Sequence, residues 1–166
     1  MTKEDTELYN KWRNDIEVMH STNPSLDVYP LESTKEFVEH VILESSTNKS
    51  YIMVEKEEEI PIGIISLINI DYKNRNAECI IDIGEKEHWG KGYGSESLKL
   101  LLDYVFYEMN LHRISLKVFS FNDRAISLYT KIGFQEEGNS RQSLFRNGQW
   151  YDIIHMGILK NEYLKN

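Results

Sequence analysis

The hydrophobic positions of the chain change period several times. Near the start, "TELYNKWRNDIEVMH" sets Leu8 and Trp12 four apart and then Ile16 and Met19 three apart, the spacing of two short helices. "STNPSLDVYP" holds two of the three prolines and interrupts the pattern as a loop. In "STKEFVEHVILES", Ser33 and Glu36 have the spacing of a capping box. This predicts a helix with Ser33 as N-cap and Phe37, Val38, Val41 and Ile42 on its inner face.

A period of two then takes over. "SYIMVE" and "IPIGIISLINI" predict two strands joined through the charged "KEEE", and "AECIIDIG" a third after the polar "DYKNRN". Leu98, Leu101, Leu102, Val105 and Met109 return to a helical stripe. "RISLKVFS" alternates Ile114, Leu116 and Val118 as a half-buried strand. "NDRAISLYTKIGF" predicts a short helix, with Asn122 as N-cap and Gly133 as the glycine that ends it. Asn147-Gly148 sits between two strand-like runs, a hairpin signal. With no repeat or linker, the pattern predicts one α/β domain over residues 1–166.

Between the third strand and the long helix stands "HWGKGYGSESL", with Gly90, Gly92 and Gly94 at alternate positions. Glycine lets a backbone approach a ligand, and the following helix N-terminus presents unpaired N–H groups and partial positive charge. A strand, a glycine turn and a helix therefore form an anion site, most often for phosphate. The spacing matches neither the Walker nor the dinucleotide-binding glycine pattern. Lys91 adds a charge and Ser95 a hydroxyl.

This stretch resembles the acyl-CoA pyrophosphate loop of the GNAT superfamily of N-acetyltransferases, Arg/Gln-x-x-Gly-x-Gly/Ala, with Trp89 in place of the usual Arg or Gln. "NDRAISLYTKIGF" is similar to a second element of that family, Asn-x-x-Ala-x-x-Leu-Tyr-x-Lys-x-Gly-Phe. The resemblance covers roughly Tyr51 to Leu159, while the early helices match in pattern only.

It implies a mixed, mostly antiparallel sheet flanked by helices, with two central parallel strands splayed apart and acetyl-CoA as cosubstrate. The usual strand before the first helix is missing or very short here, which leaves a sheet edge where another subunit could pair. Further implied are pantetheine contacts at the backbone of Ile81, Asp82 and Ile83, and a pyrophosphate cradle of N–H groups from Trp89 through Gly90, Lys91, Gly92, Tyr93 and Gly94 to Ser95. Asn122, Arg124 and Lys131 would meet the pantetheine or the adenosine phosphates.

Tyr129 falls on the family position of the acid that serves the leaving thiolate. Tyrosine titrates near ~10 and a thiol near ~8.5, so full transfer is uphill by roughly 2 kcal/mol, and hydrogen-bond donation is the better role. An alkyl amine near ~10.4 is neutral only about once in a few thousand molecules at pH 7, so a base is needed. Glu78 matches a glutamate common in this branch, and Asp82, of the same strand parity, is the reserve.

Charge narrows the acceptor. Residues 1–90 carry nineteen acids and nine bases, a balance of −10, while residues 91–166 carry eight acids and ten bases, +2. Nucleic acid is a poor partner for such a chain. From "GFQEEGNSRQSLFRNGQWYD" onward the chain resembles spermidine and diamine N-acetyltransferases, and also those acting on ribosomal-protein N-termini or on amino sugars and antibiotics. A polyamine such as spermidine suits the acidic half, with Glu32 and Glu36 as its expected contacts. A catalytically idle acyl-CoA sensor is the non-enzyme alternative.

The five histidines and one cysteine show no metal-ligand spacing. No apolar run reaches membrane-spanning length, and "MTKEDTELYNKW" lacks the apolar segment of a secretion signal. The single cysteine fits a reducing compartment, so a cytoplasmic protein with no membrane partner is expected.

Overall fold

The computed structural model describes residues 1–165. A 3₁₀ turn, Lys3–Asp5, leads into helices α1 (Thr6–Asn14), α2 (Ile16–His20) and α3 (Leu31–Glu36). Strands β1 (Lys49–Val54), β2 (Pro61–Asp71) and β3 (Asn76–Ile83) follow as a meander. After a second 3₁₀ turn, Lys86–His88, come α4 (Tyr93–Asp103), β4 (Arg113–Phe119), α5 (Asp123–Ile132), β5 (Gln135–Arg146), β6 (Gln149–Leu159) and α6 (Lys160–Tyr163). The six strands form one sheet in the order β1-β2-β3-β4-β6-β5, antiparallel except for β3 against β4.

Helices precede β1, and the Met1 ammonium touches the Ser50 carbonyl at 3.2 Å on that edge strand. The described chain therefore opens without the usual leading strand.

Strand alternation sorts β3 by face. Ala77 and Cys79 are buried in the core beneath α4 and α5, with Ile81 and Ile83 packed against it, while Glu78, Ile80 and Asp82 share the opposite parity. Leu98, Leu102, Val105, Phe106, Ile114 and Ile158 are wholly buried between α4 and the sheet. On the other side Trp12 of α1 lies flat on Gly84, where an added Cβ would sit 2.3 Å from the indole.

Two predicted details are corrected. The third helix starts at Leu31 behind Pro30, whose ring presets the backbone for a first turn, and Ser33 lies inside it with its hydroxyl donating to the Pro30 carbonyl at 2.8 Å. Phe37–Leu43 then continues as a π-helix, and the wider turn rotates Val41 out to 43% exposure. Ile16, at the exposed start of α2, is also turned to solvent at 70%. The Asn147-Gly148 turn is as expected, with both residues at positive φ (51° and 77°).

Candidate active site

The β3–β4 ladder has only three rungs, Asn76↔Arg113, Ala77↔Ile114 and Glu78↔Ser115. Beyond Glu78 the strands diverge, although β3 stays paired to β2 through Ile83 and β4 stays paired to β6 through Phe119. The β4-facing side of Cys79–Ile83 is thus left without a ladder partner inside a sheet. A cleft of about 470 Å³ opens at this fork. Its walls come from Ile81, Asp82 and Ile83, from the glycine loop and first turn of α4, and from the α5 face bearing Asn122, Arg124, Tyr129 and Lys131.

The loop is built to turn a helix mouth toward this space. Gly90 and Gly92 have φ of 77° and 93°, conformations that side chains rarely tolerate. Gly94 lies in the first turn of α4 with ordinary φ, and a Cβ on Gly92 or Gly94 would meet nothing within 4 Å. Glu96 makes the first helical bond, to the Gly92 carbonyl at 3.0 Å. The amides of Tyr93, Gly94 and Ser95 therefore have no helical acceptor behind them.

Trp89 anchors the loop, its backbone and its indole both engaged within the protein. Its amide bonds the Lys86 carbonyl at 3.0 Å and its indole Nε1 the Ile83 carbonyl at 2.9 Å. Arg124 leans over Gly90, its Nη2 4.0 Å from where a Cβ would stand. Lys131 lines the cleft, whereas Lys91 is exposed beside it. Asn122 is occupied structurally: its Oδ1 accepts from the Ala125 amide and its Nδ2 donates to the Ser21 carbonyl.

Tyr129 is 8% exposed and lines the cleft. Burial, with Cys79 and Asp82 nearby, pushes its hydroxyl well above the ordinary tyrosine range. It stays a hydrogen-bond donor at neutral pH.

The carboxylates divide. Glu78 is held by Lys117 Nζ at 3.1 and 3.0 Å and does not line the cleft. Asp82 does line it, with Oδ1 buried and lacking any hydrogen-bond partner, and burial raises its carboxyl to about 6 against a partly offsetting Thr22. Glu32 pairs with Lys35 at 2.8 Å, Glu36 is exposed, and neither lines the cleft.

Three wall residues carry no sequence signal: Val18, Ser21 and Thr22. They arrive through tertiary ties, since Arg146 Nη2 donates to the Asn23 carbonyl at 2.6 Å and Asn122 holds Ser21. His88 stands beside Tyr93, ring centroids 5.4 Å apart, with Nδ1 buried and unpartnered. Among the described residues, no three His, Cys, Asp or Glu gather as a metal site would need, and no helix is long and apolar enough to cross a membrane.

Comparison with known proteins gives consistent likenesses. The family model described as "Acetyltransferase (GNAT) domain" matches residues 1–135. The chain is 34% identical over 165 residues to "Uncharacterized N-acetyltransferase p20" of Bacillus licheniformis, spanning 98% of this chain and 92% of that one. It is 33% identical over 160 residues to a spermidine N(1)-acetyltransferase of Vibrio cholerae, spanning 92% and 91%. The crystal structure of spermidine N-acetyltransferase from Vibrio cholerae in complex with CoA and spermine superimposes with a TM-score of 0.89 at 30% identity, covering 99% of this chain and 95% of that one. A dodecameric structure of the Vibrio cholerae enzyme superimposes with a TM-score of 0.83.

Proposed function

The chain belongs to the GNAT acetyltransferase family, and we propose that it moves the acetyl group of acetyl-CoA directly onto a primary amine of a small polyamine such as spermidine. The observation that carries this is the fork itself: an unpaired β3 edge, a glycine-mouthed helix and Tyr129 converge on one cleft.

Each part has a chemical task. The free edge of Ile81–Ile83 pairs with the amides of the pantetheine arm, as a strand would. The first-turn amides of α4, with Arg124 and Lys131, hold the phosphates. The amine nitrogen attacks the thioester carbonyl, the C–N bond forms, and the C–S bond breaks as the tetrahedral centre collapses. Tyr129 donates a hydrogen bond to the sulfur as charge develops there, which lowers that barrier. Of the amine's two departing protons, one leaves before attack and the other balances the thiol product.

The polyamine assignment is supported by likeness to spermidine N-acetyltransferase of Vibrio cholerae, in sequence and in a crystal structure with CoA and spermine. The −10 balance of the first ninety residues adds a favourable field for a polycation. That Glu32 and Glu36 stand outside the cleft moves the expected local contact to Asp82. Like its dodecameric relative, the chain is read as a homo-oligomer, working as one domain in the cytoplasm.

The test is release of free CoA with spermidine, a monoamine of equal length, and peptides with free N-termini. Spermidine should show the highest kcat/KM, falling as salt rises. Equal turnover of the monoamine or a peptide would remove the polyamine and leave the acetyl transfer. No transfer to any amine would leave an acyl-CoA sensor.

A further inference from the structure

We infer that Asp82, and not Glu78, takes the proton from the acceptor ammonium; this rests on the acetyl-transfer reading above. The two carboxylates lie on the same face of β3, four residues apart, yet their surroundings differ. Glu78 occupies the last rung of the β3–β4 ladder, where Lys117 engages both of its oxygens. A carboxylate already shared with an ammonium has little drive to take a second group's proton. Asp82 stands in the open part of the fork, and its Oδ1 is buried without a partner. A buried lone acceptor is costly unless something satisfies it. An ammonium entering the cleft does so at once.

The proton step balances simply. The ammonium N–H bond breaks, its electron pair stays on nitrogen, and the proton moves to Oδ1 of Asp82, leaving neutral amine and neutral acid. After transfer Asp82 returns that proton to solvent. The titratable groups that feel a charge on Asp82 are the Tyr9 hydroxyl on α1, the Tyr129 hydroxyl on α5 and Cys79 on its own strand; the uncharged Thr22 side chain reaches it from the turn after α2, and His88, Arg124 and Lys131 line the same cleft. Tyr9, Tyr129 and Cys79 stay neutral near pH 7, and burial, not a neighbouring cation, dominates the Asp82 carboxyl. Its carboxyl at about 6 is unprotonated at neutral pH, yet far more basic than an exposed aspartate.

The experiment is the pH profile of kcat/KM from pH 5 to 10 for the full chain, Asp82→Asn and Glu78→Gln, with spermidine and acetyl-CoA. Wild type should climb to about pH 6 and then level, because the bound ammonium is deprotonated in place. Asp82→Asn should lose about 10²–10³-fold at pH 7 and then rise with unit slope, the loss shrinking below tenfold by pH 10 as free amine becomes available. Its affinity for acetyl-CoA should stay within about twofold, since only the side-chain oxygen changes. Glu78→Gln should keep the acid limb where wild type has it.

An unchanged limb in Asp82→Asn, or its loss in Glu78→Gln, overturns the assignment. So does a wild-type profile that climbs with unit slope through pH 9, whether or not any variant folds. If peptides are turned over and spermidine is not, the acceptor is reassigned and the same profiles decide Asp82 on the peptide. A wild-type chain that acetylates no amine removes the acetyl-transfer reading and this inference with it.

Discussion

Lys117 Nζ reaches both carboxylate oxygens of Glu78, at 3.1 and 3.0 Å, across the parallel strand pair where the fork begins. The lysine is half exposed, so the pair is worth only about 0–1 kcal/mol. Lys117→Met should therefore lower stability by less than about 1 kcal/mol in urea titration. It should lower kcat/KM by under tenfold, since the lysine positions Glu78 and touches no substrate. A loss beyond a hundredfold would make the pair part of the chemistry.

Tyr129→Phe keeps the packed ring and removes one hydroxyl. It should cut kcat by about 10²–10⁴ while leaving acetyl-CoA affinity near wild type, read by single-turnover kinetics and calorimetry. Because burial raises this hydroxyl above the ordinary range, wild-type kcat should not decline up to about pH 10 on its account.

The glycines predict different outcomes. Gly94→Val adds a branched side chain to open space at the helix mouth, so it should weaken acetyl-CoA binding at least about tenfold with the melting temperature nearly unchanged. Gly92→Val must also force a side chain to φ of 93°, costing roughly 1–2 kcal/mol of stability. Only the Gly94 variant isolates the ligand effect, and calorimetry on that folded variant checks it.

Asp82 also sets a pH dependence of stability. Its folded value, about 6, lies above the ordinary 3.8, so the native state binds the proton more tightly than the unfolded chain. Its contribution is full below about pH 4 and is lost as pH rises through 6, a loss of about 2–3 kcal/mol. Denaturant midpoints at pH 4.5 and 7 should show this fall superimposed on the other groups. In Asp82→Asn that component should be missing, making the variant more stable than wild type at pH 7.

Arg146 is 4% exposed, with Nε and Nη1 lacking partners while Nη2 holds the Asn23 carbonyl. Arg146→Met keeps much of the stem and removes a buried, unpaired charge. Global stability should stay level or rise by about 1 kcal/mol. Amide exchange at Thr22 and Asn23 should nonetheless quicken, because the Arg146 tie to the Asn23 carbonyl is gone.

Local chemistry explains what was legible in the chain. Asn122, Gly133 and Asn147-Gly148 act within their own turns, so their roles are written in a few neighbouring residues. The glycine loop is equally local, its turn set by Gly90 and Gly92 beside the start of α4. The α3 start was obscured because Pro30 presets the backbone as well as a capping serine would, and the π-helix after it breaks the assumed 3.6 period. Glu32 and Glu36 follow the charge pattern, but charge counted along a chain does not say which face meets the cleft. Ser21 and Thr22 could not have been chosen at all. They join the wall through Asn122 and Arg146, more than a hundred residues away.

The three-rung ladder between β3 and β4 divides the sheet into two plates, β1-β2-β3 and β4-β6-β5, hinged at Asn76–Glu78. The plates are coupled by that hinge, by the Lys117–Glu78 pair beside it and by the apolar layer beneath α4 and α5. A molecule that spans the gap would act as a seventh strand and couple them along the full width. Occupancy then becomes a mechanical property: breathing of the plates, and exchange at the amides lining the gap, should slow when the wedge is filled.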